Sequence, residues 1–154
     1  MVGERPRRPT EPIEILVAED NPGDVRLIKK AFDDIDRETT LHIVSDGYGA
    51  ISYLNQQAAT EPVSLPDLAL LDLNLPGKDG CEVLETIRDD PQLKPLTVII
   101  LTSSDNSEDI TRCYNAHANA YITKPVNPDS FMSMIASLEQ FWFTYAARPP
   151  TTTM

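Results

Sequence analysis

"LALLDLNLPGKDG", residues 68–80, decides the fold. Leu68 to Leu71 is an unbroken apolar run. It is short enough for a strand and too apolar to alternate between a wet and a dry face. The run extends to Leu73 and carries one acid, Asp72. It then dissolves into Asn74, Pro76, Gly77, Asp79 and Gly80, a turn-forming composition. A strand buried on both faces belongs in a sheet covered by helices on both sides. The acid at its end is either ordinary punctuation or a reactive group on a rigid post.

The same alternation of apolar run and helical pattern fills the chain. Residues 13–18, 40–45, 68–73, 96–103 and 120–123 read as strands. Between them, helical spacing covers 24–35 (Val25, Ile28, Phe32, Ile35), 47–57 and 81–89 (Val83, Leu84, Ile87). A fourth helix opens at Ser107 as N-cap, with Ile110, Cys113 and Tyr114 inward. A fifth, 128–145, presents Phe131, Met134, Ile135, Leu138, Phe141 and Trp142. Strict strand–helix alternation argues for an α/β protein with a parallel sheet. The first, third and fourth strands are the most apolar and should be central. The second, with Thr40, His42 and Ser45, should be an edge. Right-handed crossovers then give strand order 2-1-3-4-5 in a (βα)5 doubly wound fold.

A chain of 154 residues suits one domain. We expect it over 12–147, with Pro/Thr/Arg-rich flexible tails at 1–11 and 148–154. The net charge of −11 repels nucleic-acid phosphates and favours a cationic partner or a metal ion. No apolar run approaches the roughly 20 residues that span a bilayer. The first dozen residues lack the apolar segment of a secretory signal. Cys81 and Cys113 form no CxxC and read as two small buried hydrophobes in a reducing cytoplasm.

Ligands of doubly wound sheets bind beyond the carboxyl ends of the strands, where the strand order reverses. The strand ends deliver Glu19 and Asp20, then Asp72, then Thr102, then Lys124. Adjacent strands lie about 4.8 Å apart, so the three acids should share one crevice. At about 5 Å and an effective dielectric near 20, each pair repels by about 3 kcal/mol. Either one acid keeps its proton or a cation sits among them. Hard oxygens without His or Cys suit Mg2+, joined by the Asn74 backbone carbonyl. A carboxylate that attacks phosphorus forms an acyl phosphate. The phosphoryl oxygens then need Mg2+, the Lys124 ammonium and the Thr102 hydroxyl. Taken singly, each residue is more often a turn former, a cap or a surface charge. Four strand ends converging on compatible chemistry favour a site.

The stretches "ILVAEDNPGDVRL", "LLDLNLPGKDG", "VIILTSS" and "YITKP" resemble the receiver domain of two-component response regulators, the family of the chemotaxis regulator CheY, over roughly residues 12–145. The resemblance implies a flavodoxin-like fold and a phosphoacceptor at Asp72 served by a histidine kinase. It implies Mg2+ held by Asp20, by Asp72, by the Asn74 carbonyl and, through water, by Glu19. Thr102 and Lys124 would engage the phosphoryl group, and Tyr121 would be the aromatic switch. "EDNPGDVRLIKKAF", "DLNLPGKDG", "ANAYITKPV" and "FWFTYA" look like single-domain regulators that partner cyanobacterial phytochromes and bacteriophytochromes. Such proteins have no output domain, and none is expected here. Two departures stand out. Glu19 stands where many members have Asp, and His117 where a Gly often ends the fourth helix. His117 should therefore carry a positive φ.

The resemblance implies a signalling protein and not an enzyme, switching the face formed by helix 4, strand 5 and helix 5. The aromatic bulk of helix 5 (Phe131, Phe141, Trp142, Phe143) suggests a homodimer through that face. Two rival readings remain. An aspartyl-phosphate phosphatase would want a second carboxylate where Asn74 stands. A flavodoxin-like FMN carrier would want a phosphate cradle where Glu19 and Asp20 stand.

Overall fold

The structure, a computed structural model, describes residues 12–60, 63–145 and 152–153. Its elements are β1 (Ile13–Ala18), α1 (Pro22–Asp33), β2 (Thr39–Val44), α2 (Gly47–Ala58), β3 (Val63–Ser64), β4 (Leu68–Leu71), α3 (Gly80–Asp89), β5 (Val98–Thr102), α4 (Ser107–Asn115), β6 (Ala120–Thr123), α5 (Pro128–Glu139), a π-helical turn (Gln140–Tyr145) and β7 (Thr152–Thr153). Five strands form one parallel sheet in the order β2-β1-β4-β5-β6. Without the two-residue β3, this is the expected flavodoxin-like order 2-1-3-4-5. β3 pairs antiparallel with β7 outside that sheet. The N-terminal tail at 1–11 lies outside the described residues, as does the C-terminal tail at 148–154 apart from Thr152–Thr153.

Period two along the central strands divides the core into two layers. Leu16, Ala18, Ala69, Leu71, Val98 and Ile100 face α2, α3 and α4. Ile15, Val17, Leu68, Leu70, Ile99 and Leu101 face α1 and α5. Both layers are dry, which is why these strands read as continuous apolar runs. β2 is half-buried apart from the exposed Thr40, as befits an edge.

Several boundaries moved for local reasons. Helix 1 starts at Pro22, not Asp24, because the Asn21 side chain caps it and accepts from the backbone N–H groups of Gly23 and Asp24. The cap of α4 is Asn106, which accepts from Glu108 N, and Ser107 is the first helical residue. Tyr114, expected inward, is exposed. His117 does take φ 70°, closing α4 without a glycine.

The fifth helix departs most. Its α-helical part ends at Glu139, and the wider π turn advances the inward position by five residues. Phe143 therefore follows Leu138 into the core, and Phe141 turns outward, 57% exposed. Phe131 and Phe143 are buried, so neither belongs to an exposed dimer or output face. Of that set, Phe141 exposes most of its ring and Trp142 part of it, stacked edge-on at 5.3 Å.

The cysteines are buried as expected, but they are bonded to each other. The Cys81–Cys113 disulfide joins α3 to α4, with Cα atoms 5.6 Å apart. No helix among the described residues is long and apolar enough to cross a membrane.

Candidate functional site

The chain reverses direction across the sheet between β1 and β4, leaving a crevice beyond their carboxyl ends. Asp72 continues the β4 register, its N–H donating to Ala18 O at 3.0 Å. That register sets its carboxylate beside Glu19 and Asp20. One oxygen from each of the three lies within 4.8 Å of the others, with Glu19 and Asp72 buried and Asp20 exposed. β5 delivers Thr102, fully buried, with its hydroxyl on the Asp72 side of the crevice, where it helps to lower the Asp72 carboxyl. β6 delivers Lys124, its N–H donating to Thr102 O at 2.7 Å.

The Lys124 ammonium fills the crevice. Its Nζ donates to Glu19 Oε1 at 2.5 Å, Asp24 Oδ2 at 2.9 Å and Asp72 Oδ2 at 3.0 Å. Burial pushes the Lys124 pKa down, but these carboxylates outweigh burial and hold it above its ordinary value. Burial likewise pushes Asp72 up. The Asn74 N–H (3.1 Å to Oδ1), Lys124 and Thr102 overcome that and hold its carboxyl below the usual value. Glu19 ends above its ordinary value: burial raises it, Lys124 opposes, and the Asp72 charge adds to the rise. The Asp72 carboxylate is thus kept ionised beside an ammonium and a hydroxyl, which suits attack on an electrophilic phosphorus.

The loop after Asp72 is built to stay close. Gly80 opens α3 with its N–H on Leu73 O at 2.9 Å, and a Cβ there would lie 2.4 Å from Asp72 O. Gly77 holds φ +76° against the Tyr48 ring, a conformation that favours glycine. Asp79 and Glu82 form a capping box at the start of α3. Asp79 also takes Arg112 of α4 at 3.0 Å. The Asn74 N–H is the group seen on Asp72.

Tyr121 is half-buried beside α4. Its hydroxyl donates to Ser104 O at 2.8 Å, and its N–H donates to Tyr114 Oη at 3.1 Å. Glu19, Asp20, Asp72, Asn74, Thr102 and Lys124 therefore share one crevice, with Tyr121 flanking it. Sequence reasoning missed Asp24, because an acid in the first turn of a helix reads as an electrostatic cap. It also missed Arg112, which sits on an exposed helix face. The three acids Glu19, Asp20 and Asp72 offer only oxygen ligands, which fits a hard divalent cation.

A family model described as the response regulator receiver domain matches residues 15–136. Response regulator Rcp1 of Synechocystis sp. is 39% identical over 138 residues, covering 90% of this chain and 94% of that protein. The crystal structure of the phosphorylated cyanobacterial phytochrome response regulator RcpA superposes with a TM-score of 0.83 at 41% identity, covering 90% of this chain and 99% of that one. The Mn2+-bound form of Rcp1 gives 0.80 at 39% identity, with the same coverage.

Proposed function

The chain belongs to the response regulator receiver domain family, and from that premise we propose that Asp72 accepts a phosphoryl group from the phosphohistidine of a histidine kinase. The supporting observation is the Asp72 carboxylate, buried yet held ionised by Lys124, Thr102 and the Asn74 N–H. A carboxylate oxygen forms the new O–P bond as the kinase's N–P bond breaks. The electron pair returns to the imidazole nitrogen. Lys124 and Thr102 stand ready to donate to the transferred phosphoryl oxygens. Asp20, Asp72 and the Asn74 carbonyl, with Glu19 through water, would hold a Mg2+ ion, which supplies positive charge against those oxygens when bound.

The kinase in this reading is a phytochrome-type photoreceptor, by relationship to the cyanobacterial phytochrome response regulator RcpA. Transfer from an ATP-charged kinase places the protein in the cytoplasm. A disulfide there is shielded from reductants by burial, both cysteines being fully buried. The domain is a signalling module, and slow loss of its own phosphoryl group is the only turnover this reading includes.

Phosphorylation would draw Thr102 toward the new anion and release Tyr121 from Ser104 O, reshaping the α4–β6–α5 face. Full switching from 1:99 to 99:1 needs about 5.5 kcal/mol, within reach of two or three charge-assisted hydrogen bonds. Phe141, exposed, and Trp142, partly exposed, are the aromatic end of the fifth helix and favour a homodimer through that face and the aromatic tail. Sedimentation that stays monomeric at micromolar concentration, with and without a phosphoryl analogue, would refute the dimer.

The test of the acceptor is transfer from phosphorylated kinases, phytochrome-type included. Wild-type protein should take the label, and Asp72→Asn should not. Labelling that persists in Asp72→Asn removes the assignment.

A further inference from the structure

Lys124 has three N–H donors and no acceptor, and three carboxylates occupy all of them. If Asp72 is the phosphoacceptor, as proposed above, two of those carboxylates have other work. Esterification removes the charge of Asp72. Glu19 belongs with Asp20 and Asp72 to the three-acid cluster that fits a cation, and Asp24 stands outside that cluster. Asp24 is thus the one partner of Lys124 that neither phosphoryl transfer nor metal binding consumes.

The local structure shows that Asp24 is not simply capping its helix. It is the third residue of α1, where an acid ordinarily reaches back to the N–H of the cap residue. Here that N–H, on Asn21, is taken by Glu19 Oε2 at 3.2 Å. The Asp24 N–H is itself satisfied by the Asn21 side chain. Its carboxylate points across the crevice to a lysine 100 residues away in the chain. Asp24 and Asp72 place oxygens on the same nitrogen, so those oxygens lie within about 6 Å of each other, the two N–O distances laid end to end. At 36% exposure, the Asp24 side chain is the most solvent-accessible of the three acids on Lys124.

We infer that Asp24 is a positioning residue that holds the Lys124 ammonium at the mouth of the crevice and divides its charge between α1 and the phosphoryl group. Asp24 competes with the phosphoryl oxygens for that ammonium. With Asp24 in place, Lys124 cannot give its whole charge to the modified Asp72, and the phosphoryl group is bound less tightly than the site allows. Removing the Asp24 charge frees Lys124 for the phosphoryl anion and leaves it more repulsive toward a divalent cation. The two ligands should therefore respond in opposite directions.

The test measures two affinities on the full chain. One is Mg2+ alone. The other is beryllofluoride, a phosphoryl analogue, at saturating Mg2+. Asp24→Asn should bind beryllofluoride about fivefold to tenfold more tightly and Mg2+ alone about threefold more weakly. Asp24→Glu, which keeps the charge, should move both back toward wild type. A purely structural role, loosening the turn between β1 and α1, would weaken both ligands together. Shifts of the same sign, or no shift in either affinity, overturn the inference. Wild-type protein that takes no beryllofluoride refutes the Asp72 reading itself, a separate failure.

Discussion

Replacing Lys124 by methionine tests the electrostatics of the crevice with the least change in shape. The substitution leaves Glu19 and Asp72, both nearly inaccessible, facing each other without a counter-charge. Removing one partner of a buried ion pair costs about 3–5 kcal/mol. Asp24 adds little, since its side chain is partly exposed and can be hydrated again. A loss of that size lowers Tm by about 6–20 °C in a domain of this length. The pH dependence is the sharper signature. In the wild-type fold Asp72 is held below its ordinary 3.8, so its contribution is present above that value and is lost as pH falls through the lowered one. Without Lys124, burial and mutual repulsion raise both carboxyls. A raised carboxyl binds its proton more tightly in the folded state, so the variant gains stability as pH falls and loses it as pH rises through the raised value. Lys124 itself, raised in the fold, contributes stability that is complete below its unfolded value and lost only in the alkaline range. Urea denaturation followed by far-ultraviolet circular dichroism at pH 7.5 and 5.5, without divalent metal, reads both effects. Acidification should narrow the gap between variant and wild type. A loss below about 1 kcal/mol, or a gap that widens on acidification, would refute the reasoning.

Three further outcomes follow from the same geometry. Mg2+ at ten times its dissociation constant should raise stability by about 1.4 kcal/mol in a thermal melt, and Asp20→Asn should abolish most of that gain. Gly80→Ala should destabilise by about 1–3 kcal/mol in urea, although helix propensity alone favours alanine, because the added methyl would sit 2.4 Å from Asp72 O. Reducing the Cys81–Cys113 disulfide, which spans 32 residues, should cost about 3–4 kcal/mol by the chain-entropy argument. Thiol titration of the unreduced, urea-unfolded protein should find no free thiol, and two would contradict the bond.

The central architecture was legible because it rests on simple regularities. Strands dry on both faces, such as Leu68–Leu71 and Val98–Thr102, read as apolar runs, and the residues that follow them must gather at one end of the sheet. Glu19, Asp20, Asp72, Thr102 and Lys124 fall into place by that argument. What stayed hidden depends on side-chain direction or helix phase. Asp24 carries the composition of a cap and the geometry of a counter-ion. The π turn at Gln140–Tyr145 changes the helical period, so the 3.6-residue stripe selected Phe141 where the fold buries Phe143. Cys81 and Cys113 lie on consecutive helices of one layer. Their adjacency follows from the strand order, but their bond requires two inward faces to meet at one depth.

The central claim is that Asp72 carries the phosphoryl group. Its most direct test is to phosphorylate the protein with a histidine kinase, reduce the acyl phosphate with borohydride, and map the product by peptide mass spectrometry. Reduction converts a phosphorylated aspartate to homoserine. Homoserine at position 72, and at no other acid, is the result the account predicts. Homoserine at Asp20 or Asp24 in its place, 5-hydroxynorvaline (the reduction product of a phosphorylated glutamate) at Glu19, or phosphorylation that maps to His42 or His117, would contradict it.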